Sequence, residues 1–207
     1  MITTEEIQYA KDLNNLCNKY KETHNFEDVL TEAHLFNEDA FTKTMENADQ
    51  YNEWNYYMEE VTRPFRHYDI VDIAKVLRKE FKNEFGKNLK VRIKTTRHWS
   101  CDDLYITIKE INEDYLIPLP EYMEDYKRKY STRHGIEHPY KNDETFERYA
   151  KLSIDRIYSN IYLKIQEIAN LFILDNSDIM IDYFDRNYMA NLKMEIDGDS
   201  LGGYSLL

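Results

Sequence analysis

The chain has 207 residues, 42% of them hydrophobic, and a net charge of −12, so it can bury a core of domain size. Its apolar runs fall short of the roughly 20 residues that span a bilayer, and the N-terminus MITTEEIQYAKDL lacks the basic start and apolar stretch of a signal peptide. The two cysteines, Cys17 and Cys101, are far apart and give no disulfide framework, so we predict a cytoplasmic protein with no membrane partner.

The first 62 residues predict an acidic helical region, with 14 Asp and Glu against 4 Lys and Arg. Thr3 and Glu6 form a capping-box pattern at the start of an amphipathic helix that extends to about residue 22. A short second helix is expected over FEDVLTEAHLF. A third helix opens at Asn37 and continues through QYNEWNYYMEEV, until Pro64 biases Arg63 away from helix.

Residues 63–207 predict an α+β domain. Asp69 caps a helix that ends at Gly86, where a left-handed residue is favoured. LKVRIKTT and DLYITIKEI alternate apolar and polar residues and flank the polar tip RHWSCD, which predicts a β-hairpin. A short helix and an exposed loop, a long helix over DETFERYAKLSIDRIYSNIYLKIQEIANLF and a final strand, NYMANLKMEI, follow. We therefore predict a small antiparallel sheet with helices on one face, preceded by the acidic helical region 1–62.

Four aspartates are spaced 3, 4 and 3 residues apart in DNSDIMIDYFDRNY, residues 175–188. On a helix they would share one face, but the stretch lies between a predicted helix and a strand. We therefore expect Asp178 and Asp182 to accept backbone N–H groups at a loop-to-strand junction. Asp175 and Asp185 are expected to stay available for a partner. A binding surface formed by the whole row, or a metal site, is the alternative.

Three segments beyond residue 62 follow in a recognisable order: IAKVLRKEFKNEFGKNLKVRIKTTRHW, DLYITIKE and NLFILDNSDIMIDYFDRNYMANLKMEI. Together they resemble the small "large polyvalent protein-associated" domains of phage, plasmid and conjugative elements. The resemblance covers roughly residues 69–112 and 160–196, while the tip HWSCDD departs from the Gly- and Ser-rich tip common in that family. It implies a mobile element in a bacterial host, and a protein that acts against host defence, such as an anti-CRISPR protein.

Motifs for catalysis are weak. HGIEH places His134, Glu137 and His138 at the spacing of an inverted zinc-protease motif. Gly135 and Pro139 predict a loop there, whereas that motif needs a helix to bring both histidines to one metal. We therefore predict no metal site and no cofactor, and an enzyme is unsupported. A hydrolytic or guide-RNA-processing activity around these residues is the weakest of three functional hypotheses.

The favoured hypothesis is an inhibitor or modulator of a host nucleic-acid-targeting defence system. Its partner would be a defence nuclease or CRISPR effector, with or without guide RNA. The acidic helices would occupy a basic nucleic-acid groove of that partner, and their exposed aromatic residues suit a protein interface. The predicted partner contacts are Glu53, Trp54, Tyr57, Glu59, Glu60, Asp175 and Asp185.

The alternative is a nucleic-acid-binding accessory protein of phage or plasmid replication or transfer. Residues 63–97 hold 11 basic and 4 acidic residues, and alternate basic residues of one strand are suited to a phosphate backbone. His98 beside Trp99 at the hairpin tip adds a contact surface. The predicted nucleic-acid contacts are Arg63, Arg66, Arg78, Lys79, Lys90, Arg92, Lys94, Arg97, His98 and Trp99.

Overall fold

The structure, a computed structural model, describes residues 1–47, 52–97, 102–134, 143–173, 188–196, 198–200 and 204–205. The chain forms two compact units. Unit 1 comprises Met1–Val76, Arg97–Asp102 and Asn170–Met189, and unit 2 comprises Leu77–Thr96, Asp103–Ala169 and Ala190–Leu207. The predicted boundary after residue 62 therefore falls inside unit 1. Helices and a small sheet are both present, which confirms the α+β class.

Unit 1 is built mainly from helices. They are α1 (Thr4–Thr23), α2 (Leu30–Phe36), α3 (Glu38–Glu46) and α4 (Glu53–Thr62), with 3₁₀ turns at Phe26–Val29 and Arg63–His67. The predicted capping box is confirmed, because Thr3 Oγ1 accepts from the Glu6 N–H at 3.2 Å and the Thr3 N–H donates to Glu6 Oε2 at 2.6 Å.

The prediction of one continuous third helix is wrong. α3 ends at Glu46, and Asn47 leaves the helical region with φ −115° and ψ 9°. α4 begins at Glu53, where the Asn52 side chain accepts from the Asn55 N–H at 3.1 Å. Asparagine favours helix ends because its side chain competes for nearby backbone groups. Two helix ends therefore lie where apolar periodicity indicated one helix.

The core of unit 1 is rich in aromatic side chains. Tyr9 lies against Phe36, with ring centroids 4.6 Å apart, and donates its hydroxyl hydrogen to the Val61 carbonyl at 3.0 Å. Phe65 meets Phe172 edge to face at 5.7 Å. Aliphatic residues also contribute to this core, among them Ala10, Leu13, Leu16, Val29, Ala33 and Val61.

Helix α5 (Ile70–Phe85) begins in unit 1 and continues into unit 2. Asp69 caps it as predicted, with its carboxylate accepting from the Val71 N–H at 2.8 Å. Gly86 has φ +58°, the left-handed conformation expected after a helix end. This turn leads the chain directly into the first strand.

The sheet consists of β1 (Leu89–Thr96), β2 (Asp102–Ile111), β3 (Tyr188–Ile196), β4 (Asp199–Ser200) and β5 (Tyr204–Ser205). β1 and β2 form the predicted antiparallel hairpin, and the strand order is β1-β2-β3-β4 with β5 also paired to β3. Alternate residues of the strands face the core of unit 2, together with one face of α5. The buried residues are Leu77, Phe81, Phe85, Leu89, Ile93, Leu104, Ile106, Ile108, Ala190, Leu192 and Met194.

The prediction of one long helix over residues 143–172 is also wrong. The remaining helices are α6 (Leu119–His134), α7 (Asp143–Leu152) and α8 (Ser159–Ala169), and a 3₁₀ turn (Ile154–Arg156) separates the last two. Arg156 is 5% exposed and binds the Ile117 carbonyl at 2.8 Å and the Glu113 carboxylate at 2.9 Å. This buried guanidinium fixes the break, because its N–H groups need those partners. No helix among the described residues combines the length and apolar character of a membrane span.

Candidate partner and nucleic-acid interfaces

The net charge of the chain resides in unit 1. Unit 1 has 21 Asp and Glu against 9 Lys and Arg, a net of −12, whereas unit 2 has 18 of each and is neutral. Many of these carboxylates are exposed on helices or helical turns: Glu5, Asp12, Glu22, Glu27, Asp28, Glu38, Asp39, Glu46 and Glu59. Unit 1 therefore presents a strongly negative surface.

The predicted acidic contacts of α4 differ in their availability. Glu59 is exposed and Glu53 is half-buried. The Glu60 side chain is 9% exposed and forms ion pairs with Lys43, at 3.1 Å, and with Arg63. Because two cations neutralise Glu60 within unit 1, its carboxylate contributes little to the negative surface.

The predicted aromatic contacts of α4 belong largely to the interior. Trp54 is half-buried and stacks on Tyr20, with ring centroids 3.9 Å apart and planes 8° from parallel. Tyr57 is 0% exposed and donates its hydroxyl hydrogen to the Ala33 carbonyl at 2.8 Å. Burial raises the pKa of Tyr57. Tyr57 therefore cannot touch a partner, and its predicted role is corrected to that of a core residue beneath the surface.

A shallow polar groove of about 410 Å³ lies beside Glu60. Its walls carry two cations, Lys43 and Arg63, and two carboxylates, Asp39 and Glu60, together with His67. The cationic and anionic charges balance, so the groove favours no class of ligand.

Several predicted site residues lie outside the described residues: Asp175, Asp178, Asp182, Asp185, His98, Trp99, Glu137 and His138. His134 is the last residue of α6. Among the described residues, no group of three or more His, Cys, Asp and Glu is arranged to hold a metal ion.

The predicted basic residues fall into two sets. Arg63, Arg66 and Arg97 lie in unit 1, where Arg63 pairs with Glu60 and Arg97 pairs with Asp69. The second set lies in unit 2, within residues 77–96, which hold 7 basic and 2 acidic residues. It contains Arg78, Lys79, Lys90, Arg92 and Lys94.

In unit 2, one helix face and one strand bring cations together. Arg78 and Lys79 are followed one turn later on α5 by Lys82, and all three are exposed outside the apolar stripe, which Arg78 flanks. Arg78 reaches across to the Ile93 carbonyl of β1 at 2.5 Å. Among the described strands β1 lies at the edge of the sheet, and its alternate residues are also cationic and exposed. We call this set the basic strip: Arg78, Lys79, Lys82, Lys90, Arg92 and Lys94.

Two cations of the basic strip form ion pairs with carboxylates of neighbouring strands. Lys90 pairs with Glu110, its direct cross-strand partner, at 2.6 Å. Arg92 pairs with Glu195 of β3 at 3.3 Å, and Glu195 also accepts from Lys109 of β2. The hydrogen bond from Lys109 stabilises the ionised carboxylate and so holds the pKa of Glu195 below its ordinary value. In contrast, Lys79, Lys82 and Lys94 have no carboxylate partner within the part of the chain that the structure describes.

A β-bulge shapes the outer face of the sheet. Lys90 lies opposite Glu110, but the next residue, Val91, lies opposite Ile108, so Lys109 is an extra residue on β2. Consecutive residues Lys109 and Glu110 therefore both form ion pairs on the outer face. Ile111 returns to the inner face opposite Leu89. Strict alternation would have turned Glu110 inward.

Sequence reasoning missed Lys82, Lys109, Glu195 and Tyr105 as members of this surface. Lys82 was detectable, since it follows Arg78 by four residues on a predicted helix. Tyr105, 38% exposed, lies opposite Lys94 on the outer face and donates to Asp103 at 2.8 Å. The position of Glu195 depends on a long-range strand pairing, which no local pattern shows.

No family model, curated protein or solved structure matches this chain. The resemblance to polyvalent-protein domains therefore stays a prediction. Charge, exposure and contacts are the properties that bear on function.

Proposed function

We propose that this chain is a mobile-element-encoded modulator of a host nucleic-acid-targeting defence system, with a CRISPR effector as its partner. The observation that carries this proposal is the location of the entire net charge of −12 in unit 1. A body with this charge is attracted to a groove lined by Lys and Arg, where it competes with the phosphates that the groove normally binds. The proposal places the protein in the cytoplasm of a bacterial host.

Unit 1 offers both charge and apolar area to such a partner. Glu46, Glu53 and Glu59 have no salt-bridge partner within the described ranges. Leu35 is 78% exposed and Met45, next to Glu46, is 48% exposed. Protein interfaces commonly combine apolar anchors with a polar rim. These residues extend the predicted contact set and replace Tyr57 in it.

A plasmid-interference experiment tests the proposal. Cells whose CRISPR effector targets a plasmid are transformed with that plasmid, with and without the chain, and the tagged chain is recovered to detect bound effector. We expect the chain to restore transformation and to retain the effector. The same experiment is repeated with other nucleic-acid-targeting defence systems.

A matched pair of variants separates charge from folding. Glu53→Gln/Glu59→Gln removes two carboxylates from unit 1, and Glu121→Gln/Glu124→Gln removes two exposed carboxylates from unit 2. We expect the first variant to weaken effector binding and rescue, and the second to retain both. Equal behaviour of the two variants, or no rescue by the parent chain in any system, would refute this role for unit 1.

A further inference from the structure

We infer that the basic strip of unit 2, together with Tyr105, is a binding site for single-stranded nucleic acid. The inference does not depend on the proposed function, which concerns unit 1. It rests on contacts within unit 2, on the charge of residues 77–96 and on the exposed ring beside that charge.

The charge of this region is segregated within a neutral unit. Residues 77–96 hold 7 basic and 2 acidic residues, a net of +5, while unit 2 as a whole is neutral. One of the two acids, Glu80, is 9% exposed, and the other, Glu84, pairs with Lys164 at 2.5 Å. Neither acid therefore leaves a free carboxylate beside the cations of the strip.

The Arg78 side chain joins the helix to the strand. It crosses from α5 and donates to the Ile93 carbonyl of β1 at 2.5 Å, so the cations of α5 begin beside this strand. On β1, Lys90, Arg92 and Lys94 project from one face at intervals of about 6.6 Å, twice the rise per residue of a strand. A row of cations at regular spacing along the outermost of the described strands suits a polyanionic backbone better than a compact anion.

Some cations of the basic strip form ion pairs with carboxylates, and others have no carboxylate partner among the described residues. Glu110 and Glu195 hold Lys90 and Arg92 in place across the strands. Lys79, Lys82 and Lys94 are exposed, and none of them has a carboxylate partner in the described segments. These three lysines can bind phosphates without breaking an ion pair, so they should carry most of the electrostatic affinity.

Tyr105 favours a single strand over a duplex. Its ring is 38% exposed and lies directly opposite Lys94 in the β1–β2 register. Its hydroxyl donates to Asp103 at 2.8 Å, which fixes the ring on the outer face of the sheet. An exposed ring beside a row of cations allows an unpaired base to stack while its phosphate meets a lysine, whereas the bases of a duplex are already stacked.

The test is a fluorescence-anisotropy titration of the full chain with short labelled oligonucleotides of one sequence, as single-stranded RNA, single-stranded DNA and duplex DNA. We expect both single strands to bind more tightly than the duplex at low salt and to dissociate steeply as salt increases. A preference for RNA would assign the ligand to RNA, and equal affinity would assign it to the shared phosphates and bases.

Two variants of equal charge test the position of the site. Lys79→Gln/Lys82→Gln/Lys94→Gln should make the negative slope of log affinity against log salt shallower by about 2, because each phosphate contact on a single strand contributes about −0.7. Lys19→Gln/Lys21→Gln/Lys151→Gln changes three exposed lysines elsewhere and should leave the slope nearly unchanged. Equal losses in both variants, or no binding of any oligonucleotide at low salt, would overturn the inference.

A second pair of variants tests the ring. Tyr105→Leu should weaken single-strand binding about tenfold, the effect expected when one base loses its stacking partner. Tyr105→Phe keeps the ring, loses only the hydrogen bond to Asp103, and should retain most of the affinity. If duplex DNA binds as tightly as the single strands and Tyr105→Leu has no effect, the site is not one for single strands. No partner protein enters this titration, so its failure and the failure of the proposed function are distinguishable.

Discussion

Tyr57 and Trp54 lie one turn apart on α4, yet they meet solvent differently. Trp54 is half-buried and stacks on Tyr20, so one face of its ring is covered within unit 1. Tyr57 is completely buried and its hydroxyl is bound to the Ala33 carbonyl. A tyrosine can lie at the surface or in the core, since its hydroxyl needs only one hydrogen-bond partner when it is buried. Residue type therefore does not decide which aromatic side chains of α4 reach a partner.

We predict that Tyr57→Phe lowers the free energy of unfolding by about 0.5–1.5 kcal/mol, the usual net contribution of one hydrogen bond. The loss is limited because the Ala33 carbonyl keeps a second donor, the Asn37 N–H at 3.1 Å. Urea unfolding at neutral pH measures the change. Tyr158→Phe, at a ring 40% exposed, is the matched control and should leave stability unchanged. Equal midpoints for the two variants would show that the Tyr57 hydrogen bond adds nothing.

At the scale of helices and strands, local sequence patterns predicted the helix ends and the hairpin that contacts between nearby residues determine. Thr3 and Glu6 indicated the start of α1, Asp69 and Gly86 indicated the ends of α5, and alternation indicated the β1–β2 hairpin. The same patterns failed at the two breaks in predicted long helices. Asn47 and Asn52 end and begin helices in one case, and Arg156 needs the segment 113–117 in the other. The second break depends on a contact that is remote in sequence, so periodicity could not show it.

The candidate nucleic-acid site follows the same division. The cations of β1 were predictable because they alternate within one strand. The extra residue Lys109 and the partner Glu195 were not, since a bulge and a third strand determine where their side chains lie. Glu195 contacts Arg92 of β1 and Lys109 of β2 at once, so it links three strands on the outer face.

We predict that Glu195→Gln destabilises unit 2 in a pH-dependent way. The Lys109 hydrogen bond lowers the pKa of Glu195 from its ordinary value of 4.5, so the folded state favours the ionised carboxylate. Its contribution to stability is therefore present above pH 4.5 and is lost as pH falls through the lower folded-state pKa. The difference between parent and variant in urea midpoint should be largest near neutral pH and shrink on acidification.

The control for this prediction is Glu110→Gln. Glu110 is 66% exposed and pairs only across the hairpin with Lys90 among the described residues, so its replacement should change stability little at any pH. A difference for Glu195→Gln that stays constant down to low pH would show that packing, and not the ionised carboxylate, is responsible.

At the scale of the whole molecule, charge is divided between the units. Unit 1 has a net charge of −12 and unit 2 has none, although 18 acidic residues lie in unit 2 as well. Self-repulsion therefore opposes the compact state of unit 1 and not that of unit 2. Such a surface is retained at a cost in stability, and a basic partner or dissolved salt would remove that cost.

We predict that salt stabilises unit 1 more than unit 2. Between about 0.01 M and about 0.15 M salt the Debye length falls from about 30 Å to about 8 Å, which screens repulsion among exposed carboxylates. Amide hydrogen exchange resolves the two units: protection in α1 should rise with salt more than protection in α8. Glu22→Gln/Glu27→Gln/Asp28→Asn removes three of these charges, so it should raise protection of α1 at low salt and reduce the salt response. A salt response that is equal in α1 and α8, or unchanged in this variant, would show that the charge of unit 1 does not destabilise it.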